Sequence, residues 1–549
     1  MAFVLIAAGL LQHLFSANSR SDSNDSEEVT KRISKIATQL DNILPSSKQL
    51  LMFLGGCGGT GKSRVIQAVV DFARRWNSTS TVVITALSGI AAMLIGGCTL
   101  HSALGIGTYG KPRKPSPNLM NSWSRIGILI IDEISMMQAS LLDLLDSRLQ
   151  QLKTRLDKPF GGIHIVFCGD FYQLAPVGMS LIPSGKPIQS NNKKAMSGIV
   201  GQELWKSCLS DVVLLDQNVR QSDPEWADSL LRWRVNEPTM EDIALVNEKF
   251  ISNKTLQHSN LPIGSIPVAV CDNASREKAL QFSMQEALRK NPMKPEYANN
   301  WRLHGILLIQ AKIRNTEGNH RPVETRIQEY VRNLDSQRLE GAGNLFCIRN
   351  APYMMRINQN VKKGVANGTT ATLRDVILAE NAEVRITSVS NQHVFAVFAD
   401  EVECLIFEHN LKGWKTDKTS FPSLPAGCFP LTHNTKTTTV PLGMYDEKLT
   451  VKTTLFPCEL ATVLTGHKMQ GQTLQSIVLG NLLGKHKYGS TGWIYVILSR
   501  VTTISGLHVM TRLEEEPKKY RSRKDVKDEM KRLGQIEQNT IRRLKSNGI

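Results

Sequence analysis

The chain has 549 residues, too many for one ordinary domain, and an apolar fraction of 41% is enough for two to four cores. Its formal net charge of +17 suits a polyanionic partner, since lysines and arginines gain affinity by releasing counterions condensed on phosphates, although a merely basic soluble protein accounts for the charge equally well. The nine cysteines stand singly with no Cys-x-x-Cys pair, which argues against zinc ribbons and a disulfide framework and fits a reducing, intracellular compartment.

In chain order, residues 2–11 are apolar but lack a basic flank and are too short to cross a bilayer, so they read as a buried helix in preference to a signal peptide. No later stretch is long and apolar enough for a membrane span. Residues 16–28 are polar and acidic, a loop composition. Continuous apolar runs of strand length follow at 50–54, 81–86, 126–131 and 163–168, alternating with helical patterns. Strands that are apolar on both faces are strands covered by helices on both sides, and the alternation predicts a doubly wound α/β sheet. Residues 201–360 read as helix-rich and less periodic. Short runs rich in Thr, Val and Phe between 369 and 450, such as 382–386 and 393–398, predict a small antiparallel module. After Phe456 the α/β character returns and closes with a strand at 506–510. Beyond Glu514 the chain is charge-dense, with a partial helical stripe of Val526, Met530, Leu533, Ile541 and Leu544. Residues 518–524 read as a nuclear-import signal, a DNA-affinity patch or, as readily, a solvated charged face.

The first predicted strand runs into Gly55-Gly56-Cys57-Gly58-Gly59-Thr60-Gly61-Lys62-Ser63, with a helical pattern after it. Gly56, Gly58, Gly59, Thr60 and Gly61 let the backbone wrap phosphates with its N–H groups inward. Lys62 then contacts the β- and γ-phosphates of ATP, and Ser63 ligates Mg²⁺. A glycine-rich turn with a chance lysine is set aside by the flanking strand and helix. The run 128–131 ends in Asp132-Glu133, where a carboxylate at a buried strand end holds Mg²⁺ through water and its neighbour polarises the attacking water. The third run ends in Gly169-Asp170-Phe171-Tyr172-Gln173-Leu174, and Gln173 is a candidate γ-phosphate sensor or a loop residue.

Taken in order with later segments, these residues resemble the PIF-type (petite integration frequency) DNA helicases of superfamily one, relatives of RecD-like and Helitron-transposon helicases. The likeness runs through Thr85-Ala86-Leu87-Ser88-Gly89-Ile90-Ala91-Ala92, Thr99-Leu100-His101-Ser102, Lys158-Pro159-Phe160-Gly161-Gly162 and Leu215-Asp216-Gln217-Asn218-Val219-Arg220-Gln221. It continues with Val365-Ala366-Asn367-Gly368-Thr369, Thr465-Gly466-His467-Lys468-Met469-Gln470-Gly471-Gln472-Thr473 and Tyr495-Val496-Ile497-Leu498-Ser499-Arg500-Val501. The resemblance implies two RecA-like P-loop domains with a small β-rich, SH3-like insert. The first occupies 1–200, the second 201–368 and 453–512, the insert 369–452, and a charged tail 513–549. It also implies ATP-dependent 5′-to-3′ DNA helicase activity, with Arg220 and Arg500 as arginine fingers and DNA contacts at Ser88, His101, His467 and Lys468. Arginine suits the finger role because its fixed fork matches phosphate oxygens and its charge does not titrate away; a lone histidine is more often structural. The implied partners are single-stranded and forked duplex DNA. The implied setting is genome maintenance or transposon replication by a monomer in the nucleus, or in the mitochondrion. A non-catalytic DNA-binding remnant of a mobile element is the alternative.

The sequence also departs from the family pattern. Residues 1–6 resemble the start of the helix that follows the family's adenine-reading glutamine, so the chain is expected to begin just past it. The insertion at 17–48 is long. The region that holds the family's duplex-splitting wedge is short, with Tyr109-Gly110-Lys111-Pro112-Arg113-Lys114 as its expected remnant.

Overall fold

The computed structural model describes residues 1–18, 38–45, 47–106, 114–183, 193–251, 266–294, 300–316, 322–334, 339–359, 365–409, 424–441, 448–480, 492–520 and 524–547. The expected wedge remnant at 109–113, part of the insertion (19–37) and residues 521–523 of the basic cluster lie outside them.

The four predicted runs form strands Leu51–Gly56, Val82–Ala86, Ile128–Asp132 and His164–Gly169 of one parallel sheet, joined by Cys98–Thr99 and Asp211–Leu215. Across the sheet the strands begin at Cys98, Val82, Ile128, His164, Leu51 and Asp211. Alternate residues face opposite cores. Phe53, Leu129, Ile131, Ile165 and Phe167 point to one side with Trp205; Met52, Leu54, Ile128, Ile130 and Val166 point to the other. The residues 2–11 expectation holds: helix Ala2–Asn18 buries Leu5, Ile6, Ala8 and Leu10 on this second face.

Two expected boundaries move. Strand Asp211–Leu215 pairs in parallel with Leu51–Gly56, so the first lobe continues past residue 200. The charged tail is a docked element: helix Lys524–Ser546 lies along that edge strand, with Leu533 in one core and Leu544 in the other. The apolar stripe read in the tail is what packs.

The second lobe is a smaller parallel sheet of Val463–Thr465, Val268–Val270, Ile477–Leu479 and Leu507–Val509, in that order. The strand expected at 506–510 is present. Helices Pro224–Arg234, Met240–Asn247 and Trp493–Leu498 supply its core, including Trp226, Trp233, Ile243 and Tyr495.

Inserted within the second lobe, between its strands Val268–Val270 and Val463–Thr465, lies a β-rich region larger than the 369–452 insert expected. It runs from strand Ile306–Gln310 to strand Cys458–Leu460 in three sheets. All its described pairings are antiparallel except that of Ile306–Gln310 with Gln392–Phe398. Strands Ile306–Gln310 and Asn344–Ile348 fall where the sequence reads as helix-rich. They are short apolar runs whose partners are distant, Leu307 lying opposite both Cys347 and Phe395, so no local period reveals them.

His164, at the start of its strand, accepts a hydrogen bond at Nδ1 from the Leu50 N–H (2.9 Å). Burial, reinforced by nearby His13, pulls its pKa down to about 4. A histidine depressed in the folded state contributes stability that is complete above its ordinary value of 6.5 and is lost as pH falls toward 4. Urea unfolding at stepped pH should therefore show stability falling through this window. His164→Gln, which keeps an acceptor but does not titrate, should flatten the slope by up to about one proton per molecule.

Candidate active site

The buried strand Leu51–Gly56 delivers the chain into the glycine-rich loop, where Gly59 and Gly61 adopt φ of +92° and +91°. A Cβ on Gly59 would lie 2.4 Å from Cβ of Arg220, so the loop needs glycine there both for its conformation and for the approach of the second lobe. Lys62 Nζ donates to the carbonyls of Gly56 (2.7 Å) and Cys57 (2.9 Å), and Thr60 Oγ1 donates to Cys57 O (2.9 Å). Gly61 caps helix Lys62–Arg75, whose free N-terminal amides and dipole favour an anion.

Asp132 ends its strand almost fully buried, its Oδ1 accepting the Glu133 N–H (2.9 Å). Burial first, then the charge of Glu133, push its carboxyl up to about 7 against the opposing pull of Lys62. A carboxylate so disfavoured is one that a divalent cation would stabilise, and with the Ser63 hydroxyl it offers the hard oxygen donors that Mg²⁺ takes alongside water and phosphate. Glu133 sits in a left-handed turn (φ 59°). Gln470 of the second lobe donates to Glu133 Oε2 (3.0 Å) and to Ser135 Oγ (3.2 Å). Gln173 is buried, and its Oε1 has no hydrogen-bond partner among the described residues.

Two arginines reach the same place from the other lobe. Arg220 donates to Ser499 O (3.3 Å). Arg500, 1% exposed, donates to Val496 O (2.7 Å), Gln472 O (3.1 Å) and Ser499 Oγ (2.8 Å). A Cβ on Gly58 would meet Arg220 Nη1 at 3.0 Å and Arg500 Nη2 at 3.7 Å, so both guanidinium groups face the loop. Burial, then the like charge of Arg220, pull the Arg500 pKa down to about 10. Lys62, Asp132, Glu133, Gln173, Arg220 and Arg500 all line one cavity of about 270 Å³, with Ser63 beside them. This arrangement can hold a polyphosphate between two cationic walls with a carboxylate pair at its end.

None of the four candidate DNA contacts lines that cavity. Ser88 caps helix Gly89–Leu94, its side chain accepting the Ala91 N–H (3.2 Å). The residue after it touches the Asn367 segment, since a Cβ on Gly89 would lie 2.5 Å from Asn367 O. Two motifs from distant parts of the chain thus meet there. His101 is half-buried on helix Leu100–Ala103, where burial lowers its pKa. His467 Nε2 lies 3.4 Å from Ala175 O. Lys468 pairs with Glu459, which also holds Arg276 (2.7 Å) and Arg356 (3.4 Å). Burial pushes Glu459 up, but Lys468, Arg356 and Arg276 outweigh it and hold the carboxyl down at about 2. Lys468 is itself drawn down to about 8, burial outweighing its partner, as expected where three cations share one carboxylate.

Gln470 and Gly471, which also lines the cavity, were inside a recognised motif without an assigned role. Arg234, which pairs with Asp170, lies outside every motif, and no sequence signal marks it.

Comparison with known proteins agrees with this geometry. Residues 28–231 match the family model described as PIF1-like helicase. Over 525 residues the chain is 26% identical to ATP-dependent DNA helicase RRM3 of Saccharomyces cerevisiae, covering 88% of this chain and 66% of that protein. Over 521 residues it is 26% identical to ATP-dependent DNA helicase PIF1 of Danio rerio, covering 92% and 64% respectively. The chain therefore spans just under two thirds of the length of these relatives. The crystal structure of a Bacteroides Pif1 helicase in complex with ADP-AlF3 and ssDNA matches with a TM-score of 0.58 at 19% identity, over 93% of this chain and 97% of that one. That of the Candida albicans Pif1 helicase also gives 0.58, at 22% identity, over 94% and 100%. The shared fold is that of two RecA-like lobes, and over residues 28–231 the chain is similar to the PIF1-like helicases.

Proposed function

We propose that the chain is an ATP-dependent DNA helicase motor that hydrolyses ATP between its lobes while gripping single-stranded DNA. The observation that carries the reading is the cavity itself: Lys62, Asp132, Glu133 and Gln173 come from one lobe, Arg220 and Arg500 from the other. The names of the RRM3 and PIF1 relatives, and the ADP-AlF3 and ssDNA in the Bacteroides complex, support it.

In this reading Lys62 and the loop amides hold the triphosphate. Ser63 and Asp132 would hold Mg²⁺, which when bound supplies charge neutralisation across the phosphates. Glu133, oriented by Gln470, accepts the proton of the attacking water. Arg220 and Arg500 stabilise charge on the transferring phosphoryl group, and their arrival depends on lobe closure. Opening after hydrolysis moves the second lobe along the strand, 5′-to-3′ by the family resemblance. Ser88, His101, His467 and Lys468 serve as DNA contacts, with Lys468 drawing on the cation-rich cluster around Glu459. The Asn367 segment against Gly89 closes the grip. Forked duplex DNA is the substrate to be unwound, the working unit is a monomer, and the setting is genome maintenance or transposon replication in the nucleus or mitochondrion.

The test is ATP hydrolysis by the purified chain with and without single-stranded DNA, beside Lys62→Ala. Turnover should be stimulated by DNA more than by RNA of the same sequence. The substitution should lower it by about 10²–10³-fold or more, the loss expected for one charge-stabilising donor in a dry site. DNA binding without Lys62-dependent turnover would instead support a non-catalytic DNA-binding remnant.

A further inference from the structure

We infer that Arg234 is a positioning residue, whose buried ion pair with Asp170 clamps the Gln173 loop onto the arginine-bearing lobe so that the loop follows that lobe and not its own sheet. The inference rests on the motor reading above.

The loop at 170–174 emerges from strand His164–Gly169 of the first sheet, yet it is held from the other side. Leu174 is buried in the second lobe's core with Trp226, Trp233 and Trp493. Gly492, also of the second lobe, rests on the loop's backbone: a Cβ there would lie 2.2 Å from Tyr172 O and 3.2 Å from Gln173 O. Arg234 closes the grip with a two-pronged pair, Nε to Asp170 Oδ2 and Nη2 to Oδ1, both at 3.0 Å. The Asp170 side chain is 0% exposed and that of Arg234 is 16% exposed. The guanidinium also lies 4.9 Å from the centre of the Tyr172 ring.

Asp170 in turn shapes the turn that presents Gln173. Its Oδ1 accepts the Tyr172 N–H (3.2 Å), and its carbonyl accepts the Gln173 N–H (3.0 Å). Gln173 then lines the cavity beside Lys62, with its Oε1 buried and unpartnered among the described residues. Arg234 ends helix Pro224–Arg234, and Arg220 stands just before that helix. One short segment therefore carries a phosphate-facing arginine at one end and the clamp on the sensor loop at the other. A bidentate pair buried this deeply does not exchange with water, so the segment and the loop move as one body. Without the clamp, Gln173 still reaches the cavity, but its position no longer reports to the lobe that moves.

The readout is the ratio of single-stranded DNA affinities with a non-hydrolysable ATP analogue and with ADP, for the full chain, Arg234→Gln and Arg234→Lys. Allosteric coupling of this kind is typically about 5–150-fold. Arg234→Gln should bring the ratio to within about twofold of one, and Arg234→Lys, which keeps the charge but loses the fork, should restore part of it. An unchanged ratio in Arg234→Gln overturns the clamp while leaving the motor reading intact. A wild-type ratio of one overturns the motor reading and the clamp with it. Should Arg234→Gln melt early because Asp170 is left buried and alone, the pair Asp170→Asn with Arg234→Gln removes both charges at nearly constant volume. That double variant is expected to show the same loss of coupling, and a retained ratio there overturns the clamp equally.

Discussion

Arg220→Ala and Arg500→Ala are each expected to lower the DNA-stimulated kcat by about 10³–10⁵-fold, the range that arginine fingers contribute to phosphoryl transfer. The argument is electrostatic. The two guanidinium groups stand side by side against Gly58, and the hydrogen bonds they make are to neutral acceptors: Val496 O, Gln472 O, Ser499 Oγ and Ser499 O. A buried and a half-buried guanidinium, bonded among the described residues only to neutral groups, form a site for an anion, and burial with the repulsion of Arg220 is what draws Arg500 down to about 10. Lysine should not rescue Arg500, because three of its nitrogens engage three separate acceptors and one ammonium cannot span them. Arg500 also ties the second lobe together, so a melting measurement must accompany its substitution. Arg220, with one bond of its own to Ser499 O, isolates the charge effect. Steady-state turnover at saturating DNA, with ATP affinity measured separately, is the check. A loss below tenfold at Arg220 would mean that the second lobe does not complete the site.

How far the sequence foretold this arrangement depended on whether a feature is local. The strand runs at 50–54, 81–86, 126–131 and 163–168 were legible because a parallel strand buried on both faces must be apolar at every position. The phosphate loop was legible because Gly59 and Gly61 must adopt positive φ, and Asp132-Glu133 because they terminate such a strand. The β-rich region was only half legible. Strand Gln392–Phe398, a run of Val and Phe paired with its neighbour Arg385–Val389 across a short turn, stands out, whereas Ile306–Gln310 is defined by partners far away in the chain. Arg234 was invisible for a related reason. An arginine at the end of an amphipathic helix is ordinarily solvated, and only the docking of the two lobes turns this one into a buried partner of Asp170. Lys468, proposed as a DNA contact, also has a partner that no motif announced: the buried glutamate that it shares with Arg276 and Arg356.

The C-terminal helix is the feature whose composition misled most, and removing it should have the largest effect on stability. Ending the chain after residue 523 deletes Lys524–Ser546, which covers the edge of the first sheet. Glu537 Oε1 accepts the Leu214 N–H (2.6 Å) and Thr540 Oγ1 the Val212 N–H (3.2 Å), so the helix satisfies amides of the edge strand that no further strand meets. Glu529 accepts the indole N–H of Trp205 (2.8 Å), and Trp205 in turn sits within 5.4–5.9 Å, centre to centre, of Phe53, Phe167 and Phe171. Arg543 pairs with Asp211, whose side chain is 0% exposed. The truncated chain would leave that carboxylate with less compensation, two apolar cores open and a strand edge free, conditions that favour aggregation. It should be recovered largely insoluble. The milder variants Leu533→Ala and Leu544→Ala should each cost about 2–5 kcal/mol by denaturant unfolding, as buried Leu→Ala changes do. Leu533 and Leu544 belong to cores on opposite faces of the sheet, and eleven residues of helix at about 1.5 Å each separate them by roughly 16 Å. Their costs should therefore add within about 0.5 kcal/mol in the double variant, since neither shares a neighbour with the other. Strong non-additivity would mean that the helix docks all or none. Small single effects together with a soluble truncated chain would return it to the status of a charged appendage.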